Sequence, residues 1–147
     1  MTSNSTRQKP EQASSPLRTI GRIILGLFLV FAGISHLTFA RQEFTAQVPE
    51  WVPASKDVVV LASGVVEISL GAALVLLRQR RVSVGWLVAA FFVAVFPGNI
   101  SQFATHSDAF GLDSDRARGI RLLFQPVLVA WALWSTGAWK AWRSRTR

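Results

Sequence analysis

The chain has 147 residues, of which 50% are hydrophobic and only 16% are charged. An average soluble domain carries about 25% charged residues, so this shortage predicts a surface that faces lipid and excludes an ordinary soluble domain. The absence of cysteine excludes disulfides, thiol catalysis and cysteine-ligated metal centres within this chain. The formal net charge of +8 does not indicate a nucleic-acid partner, because the basic residues are dispersed at the ends of the predicted helices.

The first 17 residues form a polar segment that is rich in Ser, Thr, Gln and Pro. Its few apolar side chains cannot bury enough surface to order it, so residues 1–17 are predicted to be a disordered cytoplasmic tail. A cleaved signal peptide is the alternative for the apolar segment that follows, with a cleavage site at Ala40. That segment is longer than the apolar region of a typical signal peptide, which favours a retained helix.

Four apolar segments follow and are predicted to be transmembrane helices over about 19–40, 58–77, 82–102 and 116–139. A helix rises about 1.5 Å per residue, so ~20 residues cross a hydrocarbon core of ~30 Å. The strictly apolar part of the third segment, residues 84–96, would span only ~20 Å, so this helix is predicted to continue past Pro97. The expected fold class is therefore all-α, an antiparallel bundle of four transmembrane helices within residues 18–142.

Lysine and arginine cluster at one end of each predicted helix. They are Arg7, Lys9, Arg18 and Arg22, then Arg78, Arg80 and Arg81, then Lys140, Arg143, Arg145 and Arg147. Short segments rich in Lys and Arg remain in the cytoplasm, so both termini are predicted to be cytoplasmic, with residues 143–147 as a basic tail. The chain is expected to be a multi-pass protein of the bacterial plasma membrane, with the lipid bilayer as its surroundings.

The predicted loops add constraints on the bundle. The first outer loop, 41–57, contains Pro49 and Pro53, which forbid regular helix across an amphiphilic stretch and favour a position at the membrane interface. The second loop, 78–81, is so short that the second and third helices must be antiparallel neighbours. Pro126 predicts a kink within the fourth helix.

Glu67 lies at the midpoint of the second apolar segment. A carboxylate at that depth costs roughly 2.5 to 3.5 kcal/mol on insertion scales unless it faces a protein interior, a partner or water. Each of the first two helices carries two glycines seven residues apart, which return to one face: Gly26 and Gly33, then Gly64 and Gly71. His36 and Glu67 each lie three residues beyond a glycine, so both flank the face where the helices approach closely.

Four more polar residues lie toward the outer ends of the third and fourth helices: Asn99 and Gln102, then Arg121 and Gln125. With His36 and Glu67 they form one polar layer, which predicts a pocket that opens outward and exchanges protons. The alternative is structural. Amides can hold helices together by ~0.6 to 2 kcal/mol each, and an arginine can extend its side chain to the interface.

The third loop, which lies on the outer side, contains a second group of polar residues: His106, Asp108, Asp113 and Asp115. They lack a recognised ligand spacing, so a solvated polar loop is favoured over a metal site, and no metal is predicted. The sequence also contains no nucleophile triad, phosphate loop or metalloprotease helix. It therefore identifies no catalytic residue.

Five short segments carry a family resemblance. They are FAGISHL at 31–37, VPEWVP at 48–53, SGVVEISLG at 63–71, FPGNI at 96–100 and RLLFQP at 121–126. In this order, over roughly 20–139, they resemble the DoxX-like family of small four-helix membrane proteins. Some members look like membrane subunits of quinone-linked sulfur-compound oxidation, and others like partners of enzymes in oxidative or thiol stress.

The leading functional hypothesis is an accessory membrane subunit without catalytic activity of its own. Its pocket would bind a small amphiphile, such as a non-covalently held quinone, for a redox enzyme partner. A small proton-coupled transporter is the first alternative, although the sequence shows no internal repeat of the kind that marks many transporters. A membrane scaffold without ligand is the second. The sequence leaves the oligomeric state open.

Overall fold

Helices, joined by turns and short irregular segments, make up the part of the chain that the structure describes. The computed structural model describes residues 14–108, 111 and 114–146. Its helices are α1 (Pro16–Leu37), α2 (Arg41–Thr45), α3 (Lys56–Leu76), α4 (Arg81–Ala104), α5 (Asp115–Thr136) and α6 (Ala138–Arg145), with a 3-10 turn at Arg78–Arg80. The predicted all-helical class is confirmed, since no strand occurs among these residues.

Helix α1 is displaced toward the N-terminus relative to its prediction. Pro16 lies in its first turn, where a fixed φ suits the helix and the missing N–H is not needed. Helix α1 thus begins two residues inside the segment 1–17 for which disorder was predicted, and residues 1–13 lie outside the described part. At its other end α1 stops at Leu37, three residues before the predicted end at Ala40.

Helices α1 and α3 form the most extensive helix pair, and glycines line their contact. A Cβ atom added at Gly33 would lie 2.5 Å from the carbonyl oxygen of Gly64. One added at Gly71 would lie 2.5 Å from the carbonyl oxygen of Gly26. Any side chain here would collide with backbone, so the glycines set both the distance and the antiparallel register of the two helices.

Helices α4 and α5 form the second extensive pair, and α5 also contacts α1. The indole Nε1 of Trp131 donates to the carbonyl oxygen of Gly21 at 3.1 Å, which ties α5 to the first turns of α1. The contact between α3 and α4 is smaller, although only a short turn joins them. An apolar core fills the space between the helices: Leu25, Leu29, Leu74, Val84, Val88, Ala89, Phe92 and Ala132.

Three segments are long and apolar enough to cross a membrane by length and composition: Pro16–Leu37, Lys56–Leu76 and Arg78–Ala104. Helices α5 and α6 qualify only as a pair, and the pair is bent by 73°. The bend lies at Gly137, whose φ of 75° is a left-handed conformation that glycine adopts without strain. The predicted fourth segment, 116–139, is thus divided, and Trp139 belongs to α6.

The segment between α1 and α3 folds over one end of the bundle, which we call the α2 end; the opposite end is the α6 end. Helix α2 packs against α3 and α1. Beyond it the chain is irregular as far as Ser55, which accepts a hydrogen bond from the Val58 backbone and caps α3. The carbonyl oxygen of Gln47 lies over α4, where a Cβ atom added at Gly98 would be 3.0 Å away. This segment covers the site described next.

Candidate functional site: a polar cavity at the α2 end

A cavity of about 500 Å³ lies at the α2 end and is lined by residues from all four long helices. Five polar side chains from the predicted layer line it, one or more from each long helix: His36, Glu67, Asn99, Arg121 and Gln125. Gln47, from the segment that covers the bundle, also lines it. We call this space the polar cavity.

His36 and Glu67 are in direct contact within the polar cavity. Nδ1 of His36 lies 2.7 Å from Oε2 of Glu67, and both residues are buried. The same nitrogen lies 3.0 Å from the carbonyl oxygen of Ala32, which can only accept, so Nδ1 carries the hydrogen. That hydrogen is directed at Ala32, and the contact with Glu67 is a close electrostatic one rather than an aligned hydrogen bond.

The covering segment reaches the polar cavity through Phe44 and Gln47. The ring of Phe44 lies over the imidazole of His36, with centroids 3.4 Å apart and planes inclined by 31°. Arg121 donates from Nη2 to Oε1 of Gln47 at 2.9 Å, which links α5 to the cover. The arginine thus lines the cavity and contacts the segment that covers it.

Asn99 and Gln125 join α4 to α5 on the opposite wall. Asn99 donates from Nδ2 to Oε1 of Gln125 at 3.0 Å, and Gln125 donates from Nε2 to the carbonyl oxygen of Phe92 at 2.8 Å. Each amide group therefore forms a hydrogen bond with a group on the other helix. Such interhelical bonds are what the structural alternative for these two residues requires.

Two buried polar atoms of the cavity wall have no aligned hydrogen bond among the described residues. They are Oε2 of Glu67 and Nε2 of Gln47. Glu67 is 8% exposed and Gln47 is 9% exposed, so bulk water does not satisfy either group. Leaving a buried donor or acceptor unsatisfied costs about 1–3 kcal/mol. Both residues also line the polar cavity, whose volume is large enough for a ligand.

Part of the polar cavity wall is apolar and reaches the outer surface of the bundle. Phe28 of α1 is 51% exposed, and Ile120 and Phe124 of α5 are 50% and 58% exposed, and all three line the cavity. Helices α1 and α5 touch near Gly21 and Trp131, and the cavity lies between them toward the other end. This gap opens sideways, onto the face that a bilayer would cover.

Gln102 is not part of the polar cavity. It is 2% exposed, and its Nε2 lies 3.4 Å from the carbonyl oxygen of Ser107, so it holds the turn after α4. Near that turn His106 and Arg118 each contact Asp115, and Arg118 also pairs with Asp108. No group of three His, Cys, Asp or Glu that could hold a metal occurs among the described residues, and the predicted loop residue Asp113 lies outside them.

Phe44 and Gln47 are two cavity residues that the sequence did not single out. Both lie outside the four apolar segments, so hydropathy does not mark them. The one available signal is their position just before the Val48–Pro53 stretch, which brings the chain back over the bundle. Gln47 joins the site only because that stretch folds inward, which is a tertiary contact.

The arrangement combines three chemical capacities. An amide nitrogen can donate to a ligand oxygen, a carboxylate oxygen can accept from a ligand hydroxyl, and an acid in contact with an imidazole can hold a proton. The apolar wall and the lateral gap suit a hydrophobic tail. The site therefore fits a molecule with a small polar head and an apolar body.

Comparison with known proteins gives a family without an assigned activity. The model of a domain of unknown function, DUF8561, matches residues 25–136. No curated protein and no solved structure gives a significant match. The matched range contains every residue that lines the polar cavity. The chain belongs to the DUF8561 domain family.

Proposed function

We propose that this protein is a DoxX-like accessory membrane subunit that binds a small amphiphile, such as a quinone, for a redox enzyme partner. In this proposal α1, α3, α4 and the α5–α6 pair each cross the plasma membrane of a bacterium, and both termini are cytoplasmic. The positive residues at the α6 end support that orientation. The polar cavity then opens toward the outer half of the bilayer.

The observation that carries the proposal is that two residues lining the cavity, Gln47 and Glu67, each hold a buried polar atom without an aligned hydrogen bond, Nε2 and Oε2. A quinone head fits them by its chemistry, because it presents carbonyl oxygens when oxidised and hydroxyl groups when reduced. Gln47 would donate to the carbonyl, and Glu67 would accept from the hydroxyl. When bound, the quinone supplies two-electron redox chemistry that none of this chain's side chains offers.

The other cavity residues would position these two groups and handle a proton. Arg121 holds the Gln47 carboxamide through Oε1, which leaves Nε2 for a ligand. His36 lies against Glu67, so the cavity holds an imidazole and a carboxyl group in contact, two groups of the kind that exchange protons in proteins. Phe44 covers His36 on the side of the segment that closes the α2 end.

The same geometry makes the two alternatives weaker. A transporter needs a route to both sides, whereas Leu25, Leu74 and Val88 form a closed apolar core further along the bundle. A scaffold would need no cavity, and the unsatisfied atoms in its wall would only lower stability. A ligand-binding subunit would use both the cavity and the polar atoms that lack an aligned hydrogen bond.

Equilibrium binding of a decyl-tailed benzoquinone to the full chain in mild detergent tests the proposal. Gln47→Leu removes the donor and should weaken binding by about fivefold, the value of one hydrogen bond. Gln42→Leu is the matched control, since Gln42 is exposed on α2 and lies outside the cavity, and it should bind like the parent protein. Equal affinity of the Gln47→Leu protein and the parent, both folded, would contradict the proposal.

A further inference from the structure

A second cavity, of about 460 Å³, lies at the α6 end, far from the proposed quinone site. Three cationic side chains from different elements line it: Arg18 of α1, Arg81 of α4 and Lys140 of α6. Four residues that carry hydroxyl groups also line it: Ser14, Ser135, Thr136 and Ser144. We call it the cationic cavity.

The cationic cavity has no acidic neighbour from its own elements. The sequence contains no Asp or Glu in residues 14–42, 68–107 or 116–147, which include every lining residue. Among the described residues no carboxylate pairs with Arg18 or Lys140. Positive side chains that line one cavity repel each other, and an anion from outside the chain would offset that repulsion.

An apolar groove of about 410 Å³ adjoins the cationic cavity and shares Arg18, Gly137 and Lys140 with it. Its remaining lining residues come from α5 and α6: Pro126, Val129, Ala130, Leu133, Trp134 and Trp139. The left-handed turn at Gly137 bends α6 by 73° away from α5, which places the cations at the end of this groove. A charged head site is thus continuous with an apolar channel along the lipid-facing side of α5.

We infer that this composite site binds an anionic phospholipid, with the phosphate in the cationic cavity and an acyl chain in the apolar groove. Basic pockets between helices at the membrane surface hold acidic head groups, and indoles such as Trp139 favour the same depth. A soluble phosphate would use the cations and hydroxyls but not the groove. The inference does not depend on the function proposed for the polar cavity, because the two share no residue.

Native mass spectrometry of the full chain, delipidated and supplied with phosphatidylglycerol or phosphatidylcholine, tests this site. The parent protein should retain phosphatidylglycerol in preference to phosphatidylcholine. Arg18→Gln combined with Lys140→Gln should reduce that preference by about fivefold for each cation removed. Arg143→Gln combined with Arg145→Gln removes the same charge from exposed positions of α6 outside the cavity, and should keep the preference.

Two further measurements separate the lipid from other anions. Ala130→Trp fills the groove without changing charge and should reduce retention of phosphatidylglycerol. Inorganic phosphate at millimolar concentration should raise the melting temperature less than phosphatidylglycerol does.

Four outcomes would overturn the inference. They are an equal loss in the Arg143/Arg145 control, unchanged retention in the Ala130→Trp protein, protection by inorganic phosphate equal to that by lipid, and no preference for phosphatidylglycerol in the parent protein. The last requires no variant, so a failure of any variant to fold leaves the test intact.

Discussion

At the scale of single residues, the glycines of α1 and α3 allow the closest backbone contact in the bundle. Gly33→Ala should lower the free energy of unfolding by roughly 1–3 kcal/mol, because its Cβ would lie 2.5 Å from the Gly64 carbonyl oxygen and 2.7 Å from Cγ1 of Ile68. The helices would have to separate to admit it. Unfolding in mixed micelles, followed by circular dichroism, measures the change.

Gly119→Ala is the matched control for that substitution. A Cβ atom at Gly119 would meet only Phe103, at 3.7 Å, so alanine fits there without displacement. Alanine also has the better helix propensity, and the change should raise stability by up to ~1 kcal/mol. The two glycine-to-alanine substitutions should therefore change the free energy of unfolding in opposite directions. The same sign for both would mean that close packing does not decide the effect at Gly33.

The site was only partly predictable at this scale. The cost of a carboxylate in hydrocarbon is large enough to place Glu67 inside the bundle from sequence alone, and the glycine spacing brings His36 to the same face. The hydrogen-bond partners of the polar groups cannot be predicted from the sequence, because they depend on tertiary contacts. Gln102 holds the turn after α4, and Gln47 enters the cavity, because of how two irregular segments fold.

At the scale of elements, Arg22 links the start of α1 to the end of α3. It is 4% exposed and donates to the carbonyl oxygens of Leu74 and Val75, which lie in the last turn of α3. A cation at a helix C-terminus satisfies orphan carbonyls and complements the helix dipole. The guanidinium thus closes the α6 end of the α1–α3 pair.

Arg22→Met should lower the free energy of unfolding by about 2–3 kcal/mol, because hydrogen bonds from a charged donor are lost and buried carbonyls remain unsatisfied. Arg116→Met, at an exposed position in the first turn of α5, provides the control and should change stability by less than ~0.5 kcal/mol. Denaturant titration of both proteins in the same detergent measures the difference. Equal stabilities would mean that water replaces the guanidinium at the end of α3.

Helix bounds were predicted best where composition changes sharply. Helix α3 covers 56–76 where the apolar pattern gave 58–77, because charged and proline residues flank it. The fourth segment was divided, because Gly137 sits in an otherwise helical pattern and only its positive φ reveals that it ends a helix. Helix α2 was missed, since five residues show no periodicity.

At the scale of the whole molecule, charge is distributed unevenly between the two ends. The α6 end carries cations from the start of α1, the turn before α4 and helix α6. The acidic residues behave differently: the ion pairs that they form among the described residues lie at or near the α2 end. This asymmetry is readable from sequence, because it needs only the order of the apolar segments. In the proposed orientation, the polar cavity and the cationic cavity face different leaflets.

The orientation can be measured directly, because the chain contains no cysteine and single cysteines can be introduced without background labelling. Ala54→Cys, at an exposed position of the α2 end, should react with a membrane-impermeant maleimide in intact cells. Thr146→Cys, exposed beyond α6, should react only after permeabilisation. The parent chain is the control for nonspecific labelling. The reverse labelling pattern would place the cationic residues outside, against the rule that retains Lys and Arg in the cytoplasm. The proposed outward opening of the polar cavity would then be wrong.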